Sequence, residues 1–290
     1  MHPLLRKPMD DRLQVRIQRC GWDLAADDYE PSWGPQLSGV QGGLIAAAAL
    51  APAECVLDVA SGTGQVAALA AQAVGARGSV LGVDLSARMV EAAQRRGLPN
   101  TRFLRMDAQQ LALADSHFDV VLCSLGLMYL PDPGRAVREM RRVLRPGGRL
   151  VLSVWGERSR CGWASLFEVV DAEVASEVCP LFFGLGCGDA LARLCREAGL
   201  QPVRQQRLSA ALNYIDGDEA CRAAFLGGPV ALAWSRFSEE VRQRVRASYL
   251  DGLAAWRQDA GYSVPAEFVI VAALSPGSPC GSPADEDLQG

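Results

Sequence analysis

Val56-Leu57-Asp58-Val59-Ala60-Ser61-Gly62-Thr63-Gly64-Gln65 decides the fold. A short aliphatic run of strand character ends in a glycine turn, and an apolar stretch with helical spacing follows. Glycines at 62 and 64 admit a left-handed turn and let backbone come close to a ligand. A second strand-like run, Ser79 to Val83, stops at Asp84. A carboxylate at that strand tip can accept hydrogen bonds from two ribose hydroxyls, so the pair reads as a nucleoside-cofactor site. Taken alone, Gly62-Thr63-Gly64-Gln65-Val66-Ala67 fits G-x-G-x-x-A, which does not separate a nicotinamide dinucleotide from other nucleoside cofactors.

Outward from this stretch, strands alternate with helices. Strands are expected at 55–60, 79–84, 101–106, 118–124 and 149–155, and helices at 65–75, 86–96 and 134–144. Ser86 is placed to cap one helix, Pro133 to open another, and Pro146-Gly147-Gly148 to end it. Strands separated by helix-length segments imply right-handed crossovers and a parallel sheet covered on both faces. Upstream, Leu13, Ile17, Cys20 and Leu24 recur at helical spacing over 10–26, and a second amphipathic segment runs over 37–50. Residues 1–50 thus read as an N-terminal helical flap. Beyond 155 the pattern changes, to helices near 163–178, 188–198, 217–226 and 238–258, with strands near 202–210 and 267–274. The segments 160–185 and 215–258 exceed what a sheet cover needs and read as a lid over the carboxyl ends of the strands, built around Trp155, Trp163, Phe167, Phe182 and Phe183. The main domain then spans 51–274, and the Pro-, Gly- and Ser-rich tail 275–290 is expected to be disordered.

Composition narrows the function classes. At 290 residues and 49% apolar the chain can bury one large core. The run 39–52 is too short and alanine-rich for a membrane span, and the N-terminus lacks a signal-peptide core, which points to a cytoplasmic protein with no membrane partner. A net charge of -4 and no basic cluster interleaved with aromatics argue against nucleic acid. Nine cysteines without a C-x-x-C pair read as free thiols, and with histidine only at His2 and His117 no metal site is expected. His117 precedes a strand whose far end faces the ligand; about seven residues at roughly 3.3 Å each put it about 20 Å away, as a surface turn residue. The oligomeric state is open, a homodimer included.

Three further motifs accompany the glycine turn: Arg105-Met106-Asp107-Ala108, Phe118-Asp119-Val120-Val121-Leu122-Cys123-Ser124, and Leu144-Arg145-Pro146-Gly147-Gly148-Arg149-Leu150. In combination the chain resembles the class I S-adenosylmethionine-dependent methyltransferases, particularly the branch related to ubiquinone and menaquinone biosynthesis. The resemblance covers 55–156 strongly and the flap and lid loosely. It implies an α/β, Rossmann-like, doubly wound sheet of seven strands, order 3-2-1-4-5-7-6 with strand seven antiparallel. It also implies S-adenosylmethionine as cofactor, S-adenosylhomocysteine as product, and methylation of a small acceptor at oxygen, nitrogen or carbon.

Carried over to this sequence, the resemblance sets the turn Ala60, Ser61, Gly62 and Gly64 against the methionine part and counts Asp58 among the cofactor-binding residues. Asp84 holds the ribose, Leu85 and Met89 flank the adenine, Asp107 with Ala108 faces its amino group, and Ser124 with Leu125 sits beside the sulfonium. Ala60 stands where the family commonly has glycine. Tyr29, in Trp22-Asp23-Leu24-Ala25-Ala26-Asp27-Asp28-Tyr29-Glu30, either closes over the cofactor or packs within the flap.

The methyl is already activated by the positive sulfur, so alignment and water exclusion matter most. Tyr29, Tyr129, Asp132 and Glu157 are the candidate bases, and Arg158 and Arg160 either pair with an acidic acceptor or are solvated. The leucine-rich, aromatic lid points to an aromatic or apolar metabolite, of the kind met in secondary metabolism. Two other readings share the glycine turn: an NAD(P)-dependent oxidoreductase, for which Lys7 as the only lysine excludes a Tyr-x-x-x-Lys pair, and an inert cofactor-binding protein.

Overall fold

A computed structural model describes residues 10–174, 182–259 and 261–277. Its sheet has the order β3-β2-β1-β4-β5-β7-β6. Strand β1 (Cys55–Val59) lies at the centre, with Leu57 registered against Leu81 of β2 (Ser79–Asp84) on one side and Val121 of β4 (Phe118–Ser124) on the other, all parallel. These central strands are aliphatic on both faces because helices cover both. Strand β3 (Thr101–Arg105) forms one edge. At the other side β5 (Leu144–Trp155) pairs parallel with β4, and β7 (Tyr262–Leu274) runs antiparallel between β5 and β6 (Gln201–Tyr214). The expected order and the reversed last strand are both present.

Helices α2 (Gln65–Val74), α3 (Ala87–Gln94) and α4 (Pro133–Val143) make the crossovers. Ser86 caps α3 by accepting the Met89 N–H at 3.1 Å, and Pro133 opens α4 behind its cap Asp132. Strand β5 begins at Leu144 rather than 149. Pro146-Gly147-Gly148 is absorbed as an irregularity, since the register jumps from Phe118↔Leu144 to Val120↔Arg149, with Gly147 at φ 77°.

The flap differs from expectation. Instead of two segments there is one helix, α1 (Asp11–Ala48), which runs through Pro31 and Pro35. Each proline removes a backbone donor. The helix continues because Trp33, Leu37, Val40, Leu44 and Ala48, at spacings of four and three, are buried along one face. Arg149 ties its end down by donating to the Ala48 carbonyl at 2.9 Å while pairing with Glu54 at 2.7 Å.

After β5, α5 (Ser165–Asp171) is shorter than the expected 163–178, of which 175–178 lie outside the described residues. Helix α6 (Ala190–Glu197) falls in the expected place. Helices α7 (Gly217–Phe225), α8 (Ala231–Arg236) and α9 (Glu239–Gly252) fall within 215–258, the second segment expected as a lid; α8 lies where no helix is expected, and α9 ends before a separate short turn at Ala254–Trp256. Helix α7 packs on both α1 and α9, and α8 on α1, so flap and lid share one apolar interior. The buried Glu267 fastens the lid base to the sheet: it pairs with Arg207 at 2.8 Å and Arg160 at 3.4 Å and accepts the Glu157 N–H at 3.1 Å. Strands β6 and β7 are longer than 202–210 and 267–274 because they pair with each other continuously from Ala211↔Pro265 out to Tyr214↔Tyr262. The tail proposed as disordered falls, from 278 on, outside the described residues. No described helix is long and apolar enough to cross a membrane.

Candidate functional site

At the carboxyl end of β1 the chain turns sharply, with left-handed backbone at Ala60 (φ 56°), Gly62 (φ 53°) and Gly64 (φ 82°). The two glycines serve different purposes. A Cβ on Gly64 would stand 3.0 Å from both Phe103 and Ala93, so this glycine serves close packing and lines neither of the two spaces that open at this end. Gly62 lines the cleft, and its N–H donates to Asp84 Oδ2 at 2.9 Å. Asp84 Oδ1 accepts the Ser86 N–H at 2.9 Å. Burial pushes the Asp84 carboxyl up, and these amides pull it back. Each oxygen keeps acceptor capacity toward the cleft.

Two connected spaces open here. The larger is an open cleft of about 1040 Å³ counted out to its mouth, solvent included. Asp84, Leu85 and Met89 line one side, and Asp107 and Ala108 close that end. Asp107 Oδ1 accepts the Gln109 N–H at 2.8 Å, which fixes the carboxylate. Ser124 and Leu125 lie where β4 ends; Ser124 Oγ is 3.1 Å from Ser153 Oγ, and the Leu125 N–H donates to the Ser153 carbonyl at 2.8 Å.

The smaller space holds Asp58, Ser61, Thr63, Gln41 and Gln65, and shares Tyr29, Ala60, Gly62, Ser124 and Leu125 with the larger. Asp58 is 1% exposed, and among the described residues neither of its oxygens has a hydrogen-bond partner; Ser61 Oγ and Thr63 Oγ1 are likewise buried without one. Burial, then the nearby Asp84, push the Asp58 carboxyl up to about 8, and the Ala67 amide at the start of α2 offsets part of this without meeting hydrogen-bond geometry. Unpaired buried polar atoms cost about 1–3 kcal/mol each, so a cluster of them beside a cavity marks a place for a polar ligand group.

These residues fit the amino-acid end of S-adenosylmethionine: an acid and hydroxyls for an ammonium, the Asp84 acceptors for the ribose, and apolar walls at Leu85 and Met89 for the adenine. Tyr29 lines both spaces, between the amino-acid end and the aromatic wall; burial raises its hydroxyl above the usual phenol range, so it stays neutral. The flap holding it is fastened to α3 by three contacts at helical spacing. Asp23 accepts from Ser86 Oγ at 2.6 Å, Asp27 pairs with Arg88 at 2.7 Å, and Glu30 pairs with Arg96 at 2.6 Å.

The rest of the larger space is mainly apolar, with the rings of Trp22 and Trp33 from α1, Tyr129, Trp155 and Trp163 set among Val15, Gln18, Leu37, Leu130, Pro131 and Pro229. Trp22 packs edge-on to Tyr29 and Tyr129, at 5.7 and 5.0 Å. Of the four candidate bases, Tyr29 and Tyr129 reach the cleft. Asp132 is exposed and caps α4, accepting the Arg135 N–H at 2.8 Å, and Glu157 pairs with Arg207 at 3.5 Å; neither lines the cleft. Arg158 pairs with Glu168 at 3.0 Å and Arg160 with Glu267, so both cations are engaged away from it. His117 is exposed and lines a different groove, beside Cys55 and Arg102. The seven described cysteines are free.

Sequence reasoning left Trp22, Trp33, Gln41, Gln65 and Gly126 unassigned. The first two carried a signal: Gln18, Trp22, Tyr29, Trp33 and Leu37 recur at four and seven residues, and all five line the cleft.

Residues 57–152 match the family described as "Methyltransferase domain". The ubiquinone/menaquinone biosynthesis C-methyltransferase UbiE of Pseudomonas putida (strain GB-1) is 37% identical over 122 residues, 40% of this chain and 44% of that protein. The chain thus matches less than half the length of this curated relative. Among solved structures, a protein of Bacillus halodurans C-125 superposes with a TM-score of 0.59 at 22% identity, covering 82% of this chain and 100% of that one. Phosphoethanolamine N-methyltransferase 2 of Haemonchus contortus, in complex with S-adenosyl-L-methionine, gives 0.56 at 17% identity, covering 88% and 57%. Both likenesses are of fold. With the sheet order, the glycine turn and Asp84 in place, residues 57–152 are a methyltransferase domain of the class I, S-adenosylmethionine-dependent family.

Proposed function

We propose that the chain transfers a methyl group from S-adenosylmethionine to a small aromatic or apolar acceptor, with carbon methylation favoured. The observation that carries this is the division of the cleft. Polar groups gather at Asp58, Asp84 and Asp107, while the opposite wall is Trp22, Trp33, Tyr129, Trp155 and Trp163, and no Arg, Lys or His lines the space among the described residues. An anionic acceptor would meet no cation here.

The cofactor supplies a methyl already activated on a positive sulfur. The chain must hold the two partners in line and keep water out, and positioning of this kind is worth about 7–11 kcal/mol in well-oriented systems. Backbone set by the turn and by the Asp84 carboxylate fixes the donor side. The aromatic wall excludes water from the acceptor side. In this reading Asp84 and Asp107 serve the donor, and burial keeps the Tyr29 hydroxyl protonated, so none of these three is poised as a strong base and Tyr129 is the candidate left at the acceptor end. A nucleophile that needs none, such as an enol-like carbon, suits this arrangement, and the match to a C-methyltransferase supports it.

The test is calorimetric titration of the full chain with S-adenosylmethionine, S-adenosylhomocysteine and NAD, followed by transfer of labelled methyl to a panel of phenols, quinols and enolizable ketones. Binding of the first two without NAD, and label in a carbon-bound methyl, is expected. Tight NAD binding would favour the oxidoreductase reading, and cofactor binding without transfer to any acceptor would favour an inert binder.

A further inference from the structure

Trp163 lies in the short turn Gly162–Ala164 after β5, is 2% exposed, and lines the aromatic end of the cleft. Five rings surround it: Trp155 at 4.6 Å, Phe182 at 5.5 Å, Phe167 and Phe183 at 5.8 Å, and Trp33 at 6.0 Å. Its Nε1–H is shielded from solvent and has no acceptor among the described residues. Trp33, beside it, shows the usual solution, since its Nε1–H donates to the Ala223 carbonyl at 3.0 Å. Aromatic faces accept an N–H only weakly, so the surrounding rings are a poor substitute.

The location of this unpaired donor is informative. Among the described residues, Asp58, Ser61 and Thr63, whose buried polar atoms lack partners, line the small donor-side space, Ser32 and Ser165 line neither space, and the Trp163 side chain, with its Nε1–H shielded, lines the acceptor end. Residues that carry an unpaired polar atom therefore line both ends of the ligand space.

We propose that the Trp163 Nε1–H is the donor that selects the acceptor: a neutral, flat, ring-bearing molecule whose carbonyl or phenolic oxygen accepts this hydrogen bond between the surrounding rings. A cleft that carries two carboxylates and no cationic side chain among the described lining residues disfavours an anion, and an N–H donor at this end calls for an acceptor oxygen rather than an ammonium. A flat ring follows from walls that are themselves rings at stacking and edge distances. The assignment rests on reading the cleft as a methyl-transfer site and adds the specificity residue and the acceptor chemistry.

The experiment uses the full chain saturated with S-adenosylhomocysteine and two probes of matched shape, 1-tetralone and tetralin. The wild type should bind the ketone about tenfold more tightly, the scale of one neutral hydrogen bond in a dry site. Trp163→Phe, which keeps a ring and removes the donor, should level the two while leaving tetralin and S-adenosylhomocysteine affinities unchanged. In the wild type, one indole N–H resonance, assigned to Trp163, should move downfield with 1-tetralone and stay fixed with tetralin, a readout that does not depend on the variant folding. The proposal is overturned by no preference in the wild type, including no binding of either probe, by a preference that survives Trp163→Phe, or by an unmoved indole signal. Failure to bind S-adenosylhomocysteine would instead remove the methyltransferase reading, so the two failures are distinct.

Discussion

At the ends of β1, β2 and β3 the cleft is lined by backbone amides and carboxylates, of which Asp84 and Asp107 are held by neighbours, Gly62 N–H and Ser86 N–H on Asp84 and Gln109 N–H on Asp107, while Asp58 has no partner among the described residues. Across the cleft, α1 and the turn after β5 present rings held by other rings, Trp22 on Tyr129 and Trp155 on Trp163. One side reads hydrogen-bonding pattern and the other reads shape. Polar readout tolerates little displacement, because a missed hydrogen bond costs the full desolvation of the group, whereas an apolar wall can be reshaped residue by residue. The fixed side therefore suits a constant cofactor and the aromatic side a chain-specific acceptor.

The sharpest way to break this comparison is Asp84→Ala. It removes the acceptor for two backbone amides and the two hydrogen bonds expected to the ribose, and bonds to a charged group are worth about 1.5–3 kcal/mol each, so S-adenosylhomocysteine affinity should fall at least about 100-fold. Trp155→Phe, on the aromatic side, should leave that affinity unchanged within error. Calorimetry on both variants decides it; equal losses would mean the two sides are not separable.

How much of this was legible in the sequence follows the same division. Asp84, Gly62 and the strand order are local matters: a period-two apolar run, a turn that needs positive φ, and crossovers of one hand. They could be read from ten residues at a time. The aromatic wall could not, because Trp22, Tyr29 and Trp33 share a face only if α1 continues through Pro31 and Pro35, and it is packing against the sheet and lid that carries it through. Gly64 shows the opposite limit. Its motif position reads as a ligand contact, yet the ring of Phe103 from β3 is what demands a glycine there. The unpaired state of Asp58 depends on what faces it from α1 and the turn, which no spacing within β1 reveals.

Asp58 also supplies a pH signature for the polar side. Its carboxyl rises from 3.8 in the unfolded chain to about 8 in the fold. Between those values the folded state binds the extra proton, so the stability of the ligand-free protein should fall as pH rises from about 4 toward about 8 and level off above. Asp84, also raised, adds a slope of the same sign. Asp58→Asn should reduce the slope and raise Tm at pH 8, with the Asp84 contribution remaining. Thermal unfolding between pH 5 and 8 measures it; a wild-type slope unchanged by the substitution would show that water or an ion already satisfies the carboxylate.

The smallest effect is expected at Ala60, the one position of the turn that departs from the family's glycine. An L residue at φ 56° costs roughly 1–2 kcal/mol, whereas replacing it with glycine costs about 0.4–1 kcal/mol through the freer unfolded chain. Ala60→Gly should therefore stabilise the protein by up to about 1 kcal/mol, read from denaturant midpoints. The methyl nonetheless has a partner: a Cβ on Gly126, in the loop after β4, would come within 2.5 Å of the Ala60 Cβ. Gly126→Ala should destabilise by about 1–3 kcal/mol in the wild type and by clearly less beside Ala60→Gly, where only Cys123 Sγ at 3.1 Å remains in the way. A coupling of about 1 kcal/mol or more in the double-mutant cycle would show that the two turns meeting below the cofactor divide one space between them; additivity would mean that the backbone moves to absorb the extra methyl, and that the polar side is less rigid than the aromatic one.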